Sequence, residues 1–214
     1  MLSESQVKEM CERILEKAKA LSPRLGLVHL TAQTPDNQDS VLNWARDTQY
    51  EGPLSLIGYN GSEYGYPGHD AWVAGLVKRG VKRERIKALD GARVYNAGTG
   101  KYDMHTLTEM SSMVRFANHN DLRHVGVVAP EFHLFRAYMT AVGIRDKLGL
   151  SMYLYPILGT DLPWDEVVIH SQGTTSGTRR DLLAGEMKRI FAYHEQGNLP
   201  HTDAVMRQLA LLPS

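Results

Sequence analysis

The stretch His124-Val125-Gly126-Val127-Val128 decides the fold class that the sequence predicts. It is an apolar run, which is typical of a central strand in a parallel sheet that is covered on both faces. Residues 131–147 follow it, and their apolar side chains recur at the spacing that predicts a helix. A buried strand that runs directly into a helix is one half of a βαβ unit.

The same alternation of strand and helix extends to both sides of this stretch. Shorter β-prone runs lie at residues 27–31, 53–58, 86–89 and 152–156. Helical patterns lie at residues 37–48, 69–79, 106–118, 178–196 and 202–212. Such alternation predicts an α/β protein with a mainly parallel sheet. Residues 90–103 are predicted to form a polar excursion, and residues 174–178 a loop before a helix.

The chain of 214 residues is long enough for one domain with a substantial core. Residues 1–22 carry apolar side chains at helical spacing and predict an N-terminal amphipathic helix. Ser22-Pro23 ends that helix, because the residue before a proline disfavours helical geometry. Residues 23–214 are predicted to form a single α/β domain with C-terminal helices.

The charge balance narrows the classes of partner. Lysine plus arginine and aspartate plus glutamate both total 24, so the formal net charge is zero. A protein that binds nucleic acid through its phosphates is normally basic. We therefore expect a small-molecule ligand and no nucleic acid. A net charge near zero also gives little electrostatic resistance to self-association, which leaves a homodimer open.

The cysteine content and the hydropathy pattern bear on the compartment. Cys11 is the only cysteine, so an internal disulfide and zinc sites built from several cysteines are both excluded. No stretch approaches the roughly 20 apolar residues of a membrane span. The N-terminal segment lacks the apolar core of a signal peptide. We expect a cytoplasmic protein that does not interact with membranes.

Ligands of open parallel sheets bind beyond the carboxyl ends of the strands, and this rule selects two loops. The first loop follows the strand at residues 53–58. Its candidate ligand-binding residues are Gly58, Asn60, Gly61, Ser62 and Glu63. Glycines let backbone amides approach an anion closely, and a helix N-terminus follows. The alternative is a glycine-rich connection that merely needs positive φ angles, because the loop matches neither a Walker loop nor a G-x-G-x-x-G fingerprint.

The second loop joins the central strand to its helix and contains Glu131, His133 and Arg136. His133 and Arg136 are three residues apart and share a helix face. Together they could hold an anionic oxygen, and a histidine can transfer a proton near neutral pH. Glu131, at the start of the helix, is a further candidate for ligand contact. The alternative is that His133 and Arg136 only satisfy backbone carbonyls.

A third polar group opens the helix at residues 106–118. Thr106 and Glu109 have the spacing of a capping box, which is the ordinary structural interpretation. His105 and Thr106 could also contact a ligand if this helix start faces the same cleft. Histidines and acids here and at His69-Asp70 have metal-ligating chemistry, but none has the spacing of a known metal motif. We therefore predict no metal site.

Several of these segments resemble a bacterial domain-of-unknown-function family, that of the SanA, ElyC and YdcF proteins. The stretch Val127-Val128-Ala129-Pro130-Glu131-Phe132-His133-Leu134-Phe135-Arg136-Ala137 is similar to the family's V-V-T-x-x-F-H-x-x-R-A motif. Residues 54–61 resemble its strand and glycine-rich turn, and Asp70-Ala71 resembles its E-A pair. Thr106 falls at the threonine of its N-T-x-E-N motif.

The resemblance implies a Rossmann-like α/β fold, a three-layer sandwich, with a cleft built from these motifs. It adds Asp70 to His133 and Arg136 as a candidate catalytic residue. Family members are linked to S-adenosylmethionine binding in one case and to cell-envelope metabolism in others. S-Adenosylmethionine is therefore the candidate cofactor that the resemblance implies.

The sequence thus predicts a small-molecule enzyme, a transferase or a phosphoester hydrolase, that binds a nucleotide-like or phosphorylated ligand. His133 would act as acid, base or nucleophile, and Arg136 as an anion clamp. The amides of Gly58 and Gly61 would cradle the phosphate. The alternative is a non-catalytic protein that binds a nucleotide or S-adenosylmethionine on the same fold.

Overall fold

The protein is built on a five-stranded parallel sheet whose strands alternate with helices. The computed structural model describes residues 2–19, 25–31, 35–48, 50–59, 68–90, 94–96, 101–103, 105–170 and 175–213. In chain order the elements are α1 (Glu4–Lys19), β1 (Leu27–Leu30), α2 (Pro35–Asp47), β2 (Leu54–Ile57), α3 (His69–Lys78), a 3-10 turn (Arg83–Arg85), β3 (Ile86–Leu89), β4 (Val94–Asn96), β5 (Lys101–Asp103), α4 (Thr106–His119), β6 (His124–Ala129), α5 (Glu131–Lys147), β7 (Tyr153–Leu158), β8 (Val167–His170), β9 (Thr175–Thr178), α6 (Arg179–Glu195) and α7 (Thr202–Ala210).

The strand order in the central sheet is β3-β2-β1-β6-β7, and neighbouring strands pair in parallel. His29 on β1 lies opposite Ser55 on β2 and Val127 on β6. All four residues of β1 and the last five of β6 are buried. The mainly parallel sheet predicted from the apolar run at residues 124–128 is confirmed.

The direction in which the chain crosses the sheet sets the two helical layers. From β1 the chain passes through α2 and α3 toward the edge formed by β3. It then passes through α4 and α5 toward the opposite edge, which is formed by β7. Because such crossovers are right-handed, α2 and α3 cover one face while α4 and α5 cover the opposite face. In agreement, α2 packs against α3, and α4 packs against α5. This is the predicted Rossmann-like three-layer sandwich, and its strand order reverses between β1 and β6.

The predicted N-terminal helix is present as α1. Its buried side chains are Val7, Met10 and Ile14, which follow the predicted apolar stripe. The helix packs against β7 and α7, so both ends of the described chain meet at this edge of the sheet. None of the helices described here is both long and apolar enough to cross a membrane.

Two short hairpins were not predicted. β4 and β5 pair antiparallel within the excursion at residues 90–103, and β8 pairs antiparallel with β9. The expectation of a loop at residues 174–178 was therefore wrong. Strands of three or four residues show too few alternations to stand out in a sequence, and their pairing depends on the partner strand.

Candidate functional site

A fully buried glutamate, Glu186 on α6, lies at the centre of a group of arginine and histidine side chains. Its carboxylate accepts hydrogen bonds from Arg136 (Nε at 2.5 Å, Nη2 at 3.1 Å) and from Arg189 (Nη1 at 2.6 Å). It also lies 3.3 Å from Nδ1 of His133 and 3.2 Å from Nε2 of His170. We call these five residues the Glu186 cluster.

The pKa of Glu186 lies well below its usual range. Burial alone would raise this pKa, but the hydrogen bonds from His133 and His170 and the charge of Arg136 outweigh burial. The carboxylate is therefore ionised and can only accept hydrogen bonds. Two guanidinium groups face one carboxylate, so the cluster carries an excess of positive charge when both histidines are neutral.

The cluster is assembled from distant parts of the sequence. His133 and Arg136 share a face at the start of α5, as predicted, and both are buried. Glu186 lies on the buried stripe of α6, four residues from Leu182 and four from Ile190. His170 is the last residue of β8. Sequence analysis did not select Glu186 or His170; an acid in the middle of an apolar helix stripe is the signal that could have found Glu186.

The Glu186 carboxylate fixes the tautomer of His133. Every described polar contact of this ring is made through Nδ1, toward Glu186 and toward Nη2 of Arg136 at 3.4 Å. The carboxylate can only accept and Arg136 can only donate, so these two contacts favour opposite tautomers. Because Nη2 of Arg136 already donates to Oε1 of Glu186 at 3.1 Å, we assign the hydrogen of the neutral ring to Nδ1 and the lone pair to Nε2. His133 is 4% exposed, so Nε2 is the atom that could exchange a proton with a bound molecule.

The cluster also contains the donor set of a metal site. One ligand atom each from His133, His170 and Glu186 lie within 4.8 Å of one another. Both carboxylate oxygens, however, already accept hydrogen bonds from Arg136, and an arginine does not lose its proton in proteins. A metal ion would have to displace or face two guanidinium charges. The described arrangement fits an anionic ligand better than a metal ion.

His170 makes the stability of the protein depend on pH. Its pKa is lowered to about 4, first because the ring is buried and then because His133 and Arg136 lie nearby. In the unfolded chain the pKa returns to about 6.5. Between these values the unfolded state binds more protons than the folded state, so the free energy of unfolding rises with pH. We expect acidification through this pH window to lower the free energy of unfolding by about 3 kcal/mol, which urea unfolding can measure.

A glutamine at position 170 keeps a polar side chain but does not titrate. Between the folded and unfolded pKa values of His170, we expect the free energy of unfolding of His170→Gln to depend less on pH than that of the wild type, by the uptake of up to one proton on unfolding. The variant His119→Gln, on the exposed end of α4, should leave this pH dependence unchanged. An equal slope for wild type and His170→Gln would contradict the assignment. Glu186, whose folded pKa is depressed, loses its own contribution only at lower pH.

Beside the cluster lies an open cleft of about 570 Å³ along α4. We call it the α4 cleft. Its lining includes Thr106, Leu107, Thr108, Ser111, Arg115, Arg136 and Tyr193. Two of its described lining residues are arginines, and none of them is an aspartate or a glutamate. Arg136 belongs to both the cleft and the Glu186 cluster, and so it connects the two.

Arg136 is held in place on several sides. Its Nη1 donates to Oγ1 of Thr106 at 2.8 Å, and its guanidinium carbon lies 5.7 Å from the ring centroid of Tyr193. Its Nε and Nη2 are bound to Glu186. The predicted anion clamp is therefore not a free fork: Arg136 offers a ligand its charge and the Nη1 side of the guanidinium.

Comparisons with protein-family models, with curated proteins and with solved structures each find no match to this chain. The family resemblance therefore stays a prediction, and the site is interpreted from its own geometry.

The start of α4 differs from the predicted capping box. The helix is capped by His105, whose backbone N–H donates to Oγ1 of Thr108 at 3.2 Å. The Thr106 hydroxyl is taken by Arg136. Glu109 is buried and lies 3.4 Å from Nε2 of His29 on β1. The capping-box assignment was wrong because both of its side chains turn to tertiary partners. His105 and Thr106 border the cleft, and their contact with a ligand stays a prediction.

The glycine after β2 has a structural explanation. The backbone N–H of Gly58 donates to the carbonyl of Leu89 at 2.7 Å. A Cβ on Gly58 would lie 3.0 Å from Cβ of Ala88 and 3.1 Å from the Leu89 oxygen. Glycine therefore lets β2 and β3 approach closely at this point. The other candidates in this loop, Asn60, Gly61, Ser62 and Glu63, fall outside the described residues.

Asp70 and Glu131 are not among the described residues that line the α4 cleft. Asp70 is exposed in the first turn of α3, which covers the opposite face of the sheet from α4. Glu131 borders a small cavity of about 20 Å³ at the ends of β6 and β7. Burial and the neighbouring Asp161 raise the pKa of Glu131. Neither residue joins Arg136 in the cleft.

The crevice at the ends of β6 and β7 is closed by a link to α2. The Ser40 hydroxyl donates to the carbonyl of Thr160 at 2.9 Å, and the Thr160 N–H donates to the carbonyl of Ser40 at 3.0 Å. A Cβ on Gly159 would collide with the Ser40 hydroxyl, so glycine is needed for this approach. The open space that borders Arg136 is the α4 cleft rather than this crevice.

Proposed function

We propose that the protein binds a small phosphate-bearing molecule in the α4 cleft. The observation that carries this proposal is the lining of the cleft, with two arginines and no carboxylate among its described residues. The hydroxyl of Ser111 adds a hydrogen-bonding group along α4. Positive charge in a partly enclosed cleft attracts anions more strongly than it would in open water.

We propose further that the bound molecule is a substrate and that the reaction is group transfer or phosphoester hydrolysis. The support is the neighbouring arrangement of Glu186 and His133, in which a carboxylate orients a histidine and leaves Nε2 for proton transfer. Arg136 would stabilise negative charge that develops on the substrate. Because its fork is bound to Glu186, it would do so from a fixed position.

A non-catalytic binding protein is the second candidate function. It is favoured by the position of His133, which is 4% exposed and is not among the described residues that line the cleft. S-Adenosylmethionine is less well matched to this cleft than a phosphate ester, because its sulfonium and ammonium groups are cationic. A cation is bound best by carboxylates or open aromatic faces, and Arg136 already covers Tyr193.

Ligand-dependent thermal stabilisation tests the binding proposal. The probes are inorganic phosphate, ADP, a sugar phosphate and S-adenosylmethionine. We expect a phosphate ester at about 100 times its dissociation constant to stabilise the fold by roughly 2.7 kcal/mol. Ser111→Phe, which fills the cleft from α4, is expected to remove this stabilisation. Ser151→Phe, at an exposed position outside the cleft, should retain it.

The outcomes separate the candidates. Stabilisation by S-adenosylmethionine alone, or an equal response of both phenylalanine variants, would contradict phosphate binding in the α4 cleft. If a bound phosphate ester is turned over, His133→Gln should abolish turnover while binding is retained. If no bound ester is turned over, or His133→Gln leaves turnover unchanged, the catalytic half of the proposal is wrong.

A further inference from the structure

One face of α4 forms a continuous wall of the α4 cleft. Thr108, Ser111 and Arg115 recur at intervals of three and four residues, so they lie one above another on the same side of the helix. Thr106 begins the helix at the Arg136 end of the cleft. Arg115 is nine residues further on, which at about 1.5 Å of rise per residue places it roughly 13 Å along the helix axis.

The two arginines of the cleft have different surroundings. Arg136 is buried and bound to Glu186 and Thr106. Arg115 is exposed, and none of the residues that the structure describes forms a hydrogen bond or an ion pair with it. Its planar guanidinium is therefore available as a fork, the geometry that matches two oxygens of a phosphate or a carboxylate.

A cleft with a cationic side chain at each end calls for a ligand that is anionic at each end. The wall between the two arginines carries the hydroxyl of Ser111 and the apolar side chain of Leu107. These groups suit a polar, uncharged middle section such as a polyol or a sugar. The volume of about 570 Å³ is ample for such a molecule.

We propose that the ligand of the α4 cleft is a small molecule with two anionic groups, of the class of sugar bisphosphates. One group lies at Arg136 and Thr106, and the other lies on Arg115, so the cleft selects ligands with two anionic groups over ligands with one. This inference rests on the proposed binding of a phosphate-bearing molecule and adds a second anionic group to it. The anionic groups are separated by a distance on the order of 10 Å, set by the spacing along α4.

Calorimetric titration with two probes tests the inference. The probes are fructose bisphosphate, with a phosphate at each end of its carbon chain, and fructose monophosphate, with a phosphate at one end. We expect the wild type to bind the bisphosphate about tenfold more tightly, the effect of one added charge-assisted contact. Arg115→Gln should lower the affinity for the bisphosphate more than that for the monophosphate and so remove this preference. Arg207→Gln, on the exposed side of α7, is the matched control and should change neither affinity.

Each other result overturns the inference in a distinguishable way. Equal affinity of the wild type for both probes would show that the cleft binds only one anionic group. The proposal that it binds a phosphate-bearing molecule would be unaffected by that result. A preference that survives Arg115→Gln, or an equal loss for both probes, would remove the assigned role of Arg115. Failure of both probes to bind at millimolar concentration would contradict the phosphate-binding proposal as well. Circular dichroism confirms that each variant is folded.

Discussion

Replacement of Glu186 by glutamine is expected to lower the free energy of unfolding by about 3–5 kcal/mol. The change removes an ionised carboxylate that is fully buried and bound to Arg136, whose side chain is 10% exposed. The guanidinium cannot lose its proton, so it stays charged in the interior without its counter-charge. Urea unfolding followed by circular dichroism measures the loss.

A matched control lies on the same helix. Glu195 is exposed at the end of α6, and Glu195→Gln is expected to change stability by less than about 0.5 kcal/mol. The double variant Arg136→Met with Glu186→Met, which removes both charges, should be more stable than Glu186→Gln alone. If Glu186→Gln matched the Glu195→Gln control, Glu186 would not be the counter-charge that holds the cluster together.

Truncation of Phe132 to alanine is expected to cost about 3–5 kcal/mol of stability. The phenylalanine is 1% exposed, and its ring meets the ring of His170 edge-on with centroids 5.2 Å apart. Its removal leaves a cavity between α5 and the end of β8, and the surrounding helices can collapse only partly into that space. Urea unfolding at neutral pH measures the effect.

The control for Phe132→Ala is Ile169→Ala, one residue before His170. Ile169 is 53% exposed, so its truncation removes little buried surface and should change stability by less than about 0.5 kcal/mol. The expected packing of α5 against β8 would be contradicted if the two variants were equally stable.

The sequence predicted the parallel sheet because its determinants are local. The apolar run at residues 124–128 and the helix after it are visible without a partner, and both are present as β6 and α5. The pair His133 and Arg136 was also found, because two polar residues three apart at a strand end stand out against apolar neighbours.

The partners of that pair could not be predicted in the same way. Glu186 and His170 lie 50 and 34 residues after Arg136 and meet it only through tertiary packing. For the same reason, the sequence predicted Arg136 as an anion clamp without its partner. In the structure, Nε and Nη2 of its guanidinium are hydrogen-bonded to Glu186. The α4 cleft was missed because its face of small polar side chains resembles an ordinary solvated helix. The homodimer, the cytoplasmic location and S-adenosylmethionine as a cofactor stay predictions.

The docking of α1 against β7 and α7 has a consequence for how the chain folds during synthesis. Residues 4–19 leave the ribosome well before their partners β7 and α7, which begin at residues 153 and 202. At ordinary rates of translation this delay is on the order of ten seconds. During it, Val7, Met10 and Ile14 lack the surface that later buries them. The high contact order of this edge makes its closure a late step, completed only when α7 has emerged.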